Sequence, residues 1–343
     1  MTEDTQTLDL PAVDAYLSAN LPGYAGPLEA SKFQTGQSNP TFLLTTPARQ
    51  YVLRRKPPGV LLKSAHAVDR EFRVQKALAD TDVPVSKMHL LCEDDDVIGS
   101  AFYIMDFVKG RNFTDPTMQG EDNATRTAVI DDMNRVLAAL HMVDIDAVGL
   151  SDYGPEGNYF ERQVGRWSKQ YRASETTEVK AMNQLMDALV EQMPADDGQR
   201  TLVHGDYRID NMIFDADEPV CRAVLDWELS TIGHPFADLA SVIMQWQLPP
   251  GNEGRGLAGV DRASLGLPTD EDFIASYCER RGLAGIDHFG FYLSFCFFRM
   301  AAIIQGVLKR ALDGNASNPE RGIKLGAFVP VFAEHGLKAL ERK

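Results

Sequence analysis

The chain is poor in cysteine and in positive charge, and both shortages narrow what it can be. Its four cysteines, Cys92, Cys221, Cys278 and Cys296, stand far apart with no C-x-x-C pair. This argues against a disulfide framework and points to reduced thiols in a cytoplasmic protein. Lys and Arg number 34 against 49 Asp and Glu, a formal charge of −15 with no long basic run. Nucleic acid is therefore not an expected partner, because phosphate backbones are gripped by clustered cations. The opening "MTEDTQTLDL" has no apolar core and reads as neither a secretory signal nor a transit peptide. The most apolar stretch, "FGFYLSFCFFRMAAIIQGVL" at 289 to 308, approaches membrane-spanning length but holds Arg299 and Gln305 inside it. A buried core helix, with no membrane partner, is the expectation. Internal repeats and low-complexity segments are absent, and the identity of any protein partner is not legible.

What is present suggests one large or two unequal domains: 343 residues, 44% of them hydrophobic. Residues 31 to 107 read as strands around one helix. "KFQTGQSNPTFLL" gives two short runs broken at Gly36 to Pro40, "QYVLRRK" is a strand stopped by Pro57-Pro58-Gly59, and "KMHLLCE" and "SAFYIMDFV" add two more. Between them "HAVDREFRVQKALAD" has helical spacing. Beyond Lys109-Gly110 helical patterns dominate, at about 123–142, 158–172, 176–193, 235–246, 270–281, 289–312 and 321–340. Only "LVHGDYRIDNMIF" and "CRAVLDWE" offer strands there. The reading is α+β, a small β-rich lobe (1–107, with a hinge at about 105–110) followed by a larger, mainly helical lobe (108–343).

The stretch at 202 to 214 carries more acid than a turn needs. Phosphoryl transfer asks for an acid to orient or deprotonate the attacking hydroxyl, oxygen ligands for Mg²⁺, and cations on the phosphates. Asp206 and Asn211 have the D-x-x-x-x-N spacing of a kinase catalytic loop, the aspartate serving the nucleophile and the asparagine holding metal. Asp226, ending the strand of "AVLDWE", stands where a kinase places its second metal ligand, and Mg²⁺ favours such oxygens.

"HGDYRIDNMIF", "VLDWE" and "GHPFADLA" together resemble the aminoglycoside phosphotransferase family, and within it the branch of kinase-like domains fused to acyl-CoA dehydrogenases. The resemblance covers nearly the whole chain and implies the two-lobed protein-kinase-like fold, ATP (or GTP) with Mg²⁺ as cofactors, and a small-molecule hydroxyl acceptor. It places Arg54 of "YVLRRK" where kinases carry the phosphate-binding lysine, with Lys56 in reserve and Glu71 as the pairing acid. Strand alternation puts Arg54 and Arg55 on opposite faces. With one glycine, the hairpin lacks G-x-G-x-x-G, so backbone N–H groups of Gln37, Ser38 and Asn39 are the expected phosphate cover. Asp106, Phe107 and Val108 are the expected adenine-binding hinge. Asp238 matches a family aspartate that braces the catalytic loop, and His204 a structural histidine. Arg299, in an apolar helix, must meet an acid or an anionic ligand; with Arg166 and Trp167 it is a candidate for the acceptor pocket. The acceptor would be a hydroxyacyl compound or an aminoglycoside. The competing reading is a nucleotide-binding pseudokinase, suggested by Arg54; a protein kinase ranks last, as no D-F-G or A-P-E motif occurs.

Overall fold

Strand β3 (Gln50–Arg55) shows how the first unit is built: Leu53 and Val52 are both buried although they point to opposite faces of the sheet. In the computed structural model, which describes residues 8–33, 39–57, 67–251, 254–316 and 318–342, β3 is the middle of a five-stranded antiparallel sheet. The order is β1 (Glu29–Lys32), β2 (Thr41–Thr45), β3, β5 (Phe102–Asp106), β4 (Met88–Cys92). One face packs Phe42, Leu44, Leu53, Phe102 and Ile104 against Val13 and Leu17 of helix α1 (Leu10–Asn20). The other packs Val52, Tyr103 and Met105 with Val68 of helix α2 (Val68–Ala77). A sheet covered on both faces accounts for the uninterrupted buried apolar runs Tyr51–Leu53 of β3 and Phe102–Met105 of β5. Helix α1 is absent from the sequence expectation: only Val13 and Leu17 are buried on it, a stripe too narrow to stand out.

The chain divides into two units, the first comprising Met1–Phe113, Asp146–Leu150 and Asp210–Ser230, the second Thr114–Ile145, Ser151–Ile209 and Thr231–Lys343. This differs from a single cut near 107–110. The reason is a ribbon of β7 (Met212–Phe214) and β8 (Cys221–Val224), which hydrogen bonds tie to the first unit. Arg111 and Phe214 exchange two backbone bonds of 2.7 and 2.8 Å, and the Val224 N–H donates to Pro84 O at 2.9 Å. Gly110 is required by that closeness, since a Cβ there would lie 2.1 Å from Phe214 O.

The second unit contains helices α3 (Asn123–His141), α4 (Tyr159–Ser174), α5 (Lys180–Glu191), α6 (Phe236–Trp246), α7 (Asp270–Arg281), α8 (Phe289–Leu312), α9 (Pro319–Gly326) and α10 (Val329–Leu340). It also holds a two-stranded pair of β6 (Thr201–Val203) and β9 (Thr231–Gly233). The long apolar helix α8 is buried along most of its length, and α4, α6, α9 and α10 pack on it. Helix starts follow their caps: Asp122 accepts from Thr125 N, Asn158 from Glu161 N, and Thr269 with Asp272 forms a capping box. The periodic run expected as one helix over 321–340 is two, parted at Ala327 and Phe328. Pro330 explains the break, because its ring would collide with a helical carbonyl four residues back and it has no N–H to donate. Strand β9, three residues long, is too short to show in a sequence pattern.

Gly110→Ala is expected to cost about 2 kcal/mol or more, because either Phe214 or the segment leading to Arg111 must move. Chemical denaturation of the purified variant measures this; wild-type stability would refute the close-approach requirement.

Candidate active site

The loop that follows β6 is fixed by its backbone before any side chain is considered. Val203 ends the strand, and His204 is fully buried. The next residue, Gly205, has φ +84°, a left-handed conformation that glycine adopts without strain. Two buried peptide N–H groups result, and Asp238 on the first turn of α6 accepts both: His204 N–H to Oδ2 at 2.6 Å and Gly205 N–H to Oδ1 at 2.9 Å. On the other side of the same glycine, Arg299 of α8 donates from Nη2 to the Gly205 carbonyl at 2.5 Å. The Asp206 N–H donates to His204 Nδ1 at 3.2 Å. Tyr207, buried, donates its hydroxyl to Met133 O at 2.8 Å. Asp206 itself is part-exposed and lies 3.3 Å from the Arg208 guanidinium.

Behind Asp238 the polar contacts continue. His141, the last residue of α3, is buried with Nε2 3.4 Å from Asp238 Oδ2 and Nδ1 2.7 Å from the Tyr277 hydroxyl. Burial pushes the imidazole pKa below its usual value, outweighing the pull of Asp238 toward the charged form. Burial alone would raise the Asp238 carboxyl, but the hydrogen bond from His141 and the neighbouring imidazoles and N–H donors hold it below the ordinary carboxylate range.

The first unit carries the rest of the candidate residues. Asn211 follows the loop and leads into β7, and its carbonyl accepts the N–H of Leu225, the residue that follows β8 and precedes Asp226, at 2.7 Å. Asn112 clamps this corner, its Nδ2 donating to the carbonyls of Asp210 and Met212, both at 2.9 Å. Asp226 is left-handed (φ +64°, ψ +59°), a conformation that aspartate tolerates better than most residues. Its carboxylate, about one-third exposed (35%), meets Arg54 Nη2 at 2.9 Å. The other edge of the Arg54 guanidinium lies 2.8 Å from Glu71 of α2, with Glu228 3.8 Å away. Glu71 is held by two further donors, Asn39 Nδ2 at 2.7 Å and the Tyr103 hydroxyl at 3.0 Å. Burial would lower the Arg54 pKa, but Glu71, and then Tyr103, Asp226 and Glu228, more than restore it; the guanidinium stays charged.

The sequence profile of the phosphotransferase enzyme family matches residues 29–276. The chain belongs to that family. It is similar to acyl-CoA dehydrogenase family member 10 of Mus musculus, 45% identical over 92% of this chain and 30% of the relative. The chain spans less than half the length of the curated relatives it matches first. A solved structure from Ralstonia eutropha, provisionally named an aminoglycoside phosphotransferase, is 47% identical, with a TM-score of 0.90 over 98% of this chain and 99% of that one. Aminoglycoside phosphotransferase APH(4)-Ia, solved with AMP-PNP and hygromycin B, has a TM-score of 0.62 at 18% identity, covering 96% and 98% of the two chains. The fold is the kinase-like α+β fold of these phosphotransferases, as the resemblance implied.

Within that family frame the expected residues are distributed as follows. Arg54 meets Glu71 as expected and reaches Asp226 as well, while Lys56 is only loosely paired, 3.7 Å from Asp69. Arg55 points away into the first unit's core, its guanidinium 5.7 Å over the Phe42 ring. Gln37 and Ser38 lie outside the described residues; Asn39 is buried and acts through its side chain on Glu71. In the expected hinge, Asp106 N–H donates to Lys87 O at 2.9 Å and its carboxylate meets His89 Nε2 at 2.7 Å, while Phe107 N–H reaches Gln50 O at 3.5 Å. The Asp106 and Phe107 N–H groups are thus directed into the sheet; Val108, half-buried, follows them. Arg299, expected to meet an acid or an anionic ligand, directs Nη2 to the Gly205 carbonyl. A carbonyl needs no charge to accept a guanidinium N–H. Arg166 is exposed, stacked 5.4 Å over Trp167, whose Nε1 donates to Gln163 at 3.1 Å. Sequence reasoning missed His141, Asn112 and the side-chain role of Asn39; the histidine ending "LAALH" was the one visible signal.

A histidine with a lowered folded pKa stabilises the fold fully above the unfolded value, near 6.5, and that contribution is lost as pH falls below it. His141→Gln is therefore expected to be less stable than wild type at pH 7.5, with the gap narrowing toward pH 5.5. Thermal melts of the two proteins across this range decide it; a gap that widens on acidification would mean a charged His141.

Proposed function

We propose that the chain transfers the γ-phosphoryl group of ATP, with Mg²⁺, to a hydroxyl of a small molecule. The observation that carries this reading is the corner where Asn211, leading into β7, is hydrogen-bonded to Leu225, the residue before Asp226, with Arg54 reaching Asp226 from β3. Among the described residues no group of three or more His, Cys, Asp or Glu side chains is arranged to hold a metal by itself. That suits Mg²⁺, which takes one or two protein oxygens and completes its shell with phosphates and water. The Asn211 and Asp226 oxygens would hold the ion, which neutralises charge developing on the phosphates. Asp206, on the loop fixed by Asp238 and Arg299, would orient the acceptor hydroxyl and take its proton. Arg54 would bind nucleotide phosphates through its planar fork in place of the usual lysine. The adenine nucleotide analogue bound by APH(4)-Ia supports ATP over GTP, and the hinge of Asp106 to Val108 is the candidate base contact. A cytoplasmic setting belongs to the same proposal.

For the acceptor, the identity to acyl-CoA dehydrogenase family members favours a hydroxyacyl compound, and the fold neighbours leave aminoglycosides as the other class. The Arg54–Asp226 pair favours one second reading, a nucleotide-binding pseudokinase, because the guanidinium already compensates the carboxylate that would hold metal.

ATP consumption screened against hydroxyacyl-CoAs and aminoglycosides separates these readings. With the true acceptor, Asp206→Asn should lower kcat by about 10²- to 10⁴-fold and leave nucleotide affinity unchanged, whereas Asp226→Asn should weaken Mg²⁺-dependent ATP binding in titration calorimetry. Arg54→Ala should raise the KM for ATP. Nucleotide binding with no turnover on any hydroxyl acceptor would establish the pseudokinase instead.

A further inference from the structure

Helix α7 is not one of the elements expected to carry function, yet it starts a chain of hydrogen bonds that ends on the loop. Arg281 Nη1 lies 2.6 Å from the Tyr277 hydroxyl, and that hydroxyl lies 2.7 Å from His141 Nδ1. His141 Nε2 is 3.4 Å from Asp238 Oδ2, and Asp238 accepts the N–H groups of His204 and Gly205. The two ends of the chain can act in one way only: the Arg281 guanidinium donates and the Asp238 carboxylate accepts. Burial disfavours a charged His141 ring, so with its proton on Nε2 facing Asp238 the Nδ1 atom is left to accept the Tyr277 O–H, whose oxygen accepts from Arg281. Burial of His141 and Asp238 leaves water no easy way to replace a missing partner.

We propose that Tyr277 and Arg281 are positioning residues for the loop bearing Asp206: they select the Nε2–H tautomer of His141 and through it hold Asp238 on the two peptide N–H groups. Without the tyrosine hydroxyl, Nδ1 has no donor and the ring can take the other tautomer. In that state an Nε2 lone pair faces the Asp238 carboxylate, and the repulsion pushes on the group that clamps His204 and Gly205. The kinetic arm of this inference rests on the phosphotransferase reading; the structural arm does not.

The test uses the full chain and Tyr277→Phe, which removes one oxygen from a buried ring, with Arg281→Met as the partner variant at a half-buried position. Nitrogen-15 spectra of the imidazoles should show a single Nε2–H tautomer for His141 in wild type and a mixture in Tyr277→Phe. Amide exchange at His204 and Gly205 should quicken by about three- to tenfold, the range of one hydrogen bond, while amides inside α8 keep their protection. Arg281→Met should move both readouts the same way by less, and it answers the question alone if Tyr277→Phe does not fold. With an acceptor in hand, kcat should fall while the KM for ATP stays put. An unchanged tautomer with unchanged exchange at His204 and Gly205 overturns the proposal, as does uniform loss of protection through α8, which marks a merely structural role. Should wild type transfer no phosphoryl group, the phosphotransferase reading falls, and the tautomer and exchange results still decide the positioning.

Discussion

One carboxylate organises the loop of the second unit that carries Asp206. Asp238 is fully buried on α6 and accepts two consecutive peptide N–H groups, His204 and Gly205, that would otherwise be buried donors without partners. Leaving either unmet costs on the order of 1–3 kcal/mol, so Asp238 stabilises the left-handed turn at Gly205. Arg299 then meets the carbonyl of the same glycine from α8. A peptide gripped from both sides fixes the direction in which the chain leaves β6, and with it the placement of Asp206. The apolar length of α8 is covered by the helices packed on it, and that packing holds the guanidinium at its centre against Gly205.

The first unit solves a different problem, that of concentrating carboxylates. Glu71, Asp226 and Glu228 all lie within 4 Å of Arg54, so a single positive charge serves three acids, and burial raises the Glu71 carboxyl above its ordinary range despite it. Glu71, nearly inaccessible, also draws donors from Asn39 and Tyr103. A lysine at position 54 would bring a single ammonium head; the arginine fork instead offers separate edges to Glu71 and to Asp226. The departure from the kinase lysine is thus matched by the acids around it, and Arg54 binds structure as well as any phosphate it serves.

Much of this was legible in the sequence because it rests on local spacing. The D-x-x-x-x-N interval, the aspartate ending "AVLDWE", and strand alternation around Arg54 each use a fixed period or a fixed loop length. Long periodic segments such as α3, α7 and α8 were readable for the same reason. What the sequence could not show were partnerships between distant positions. Arg299 meeting Gly205, Asn112 bracketing Asn211 and Asn39 reaching Glu71 all depend on how the chain returns on itself. Helix α1, strand β9 and the break at Ala327 and Phe328 escaped for a separate reason: each is set by a few residues, below the length at which a period declares itself.

The left-handed backbone at Asp226 also decides how its variants are to be compared. Alanine there removes a carboxylate and, with it, the short polar side chain that lets aspartate and asparagine offset the strain any β-carbon meets at positive φ, of the order of 1–2 kcal/mol. Asparagine and glycine tolerate the conformation, so they isolate the chemistry of the side chain from the geometry of the chain. An alanine scan of this protein would therefore rank Asp226 above its true chemical weight.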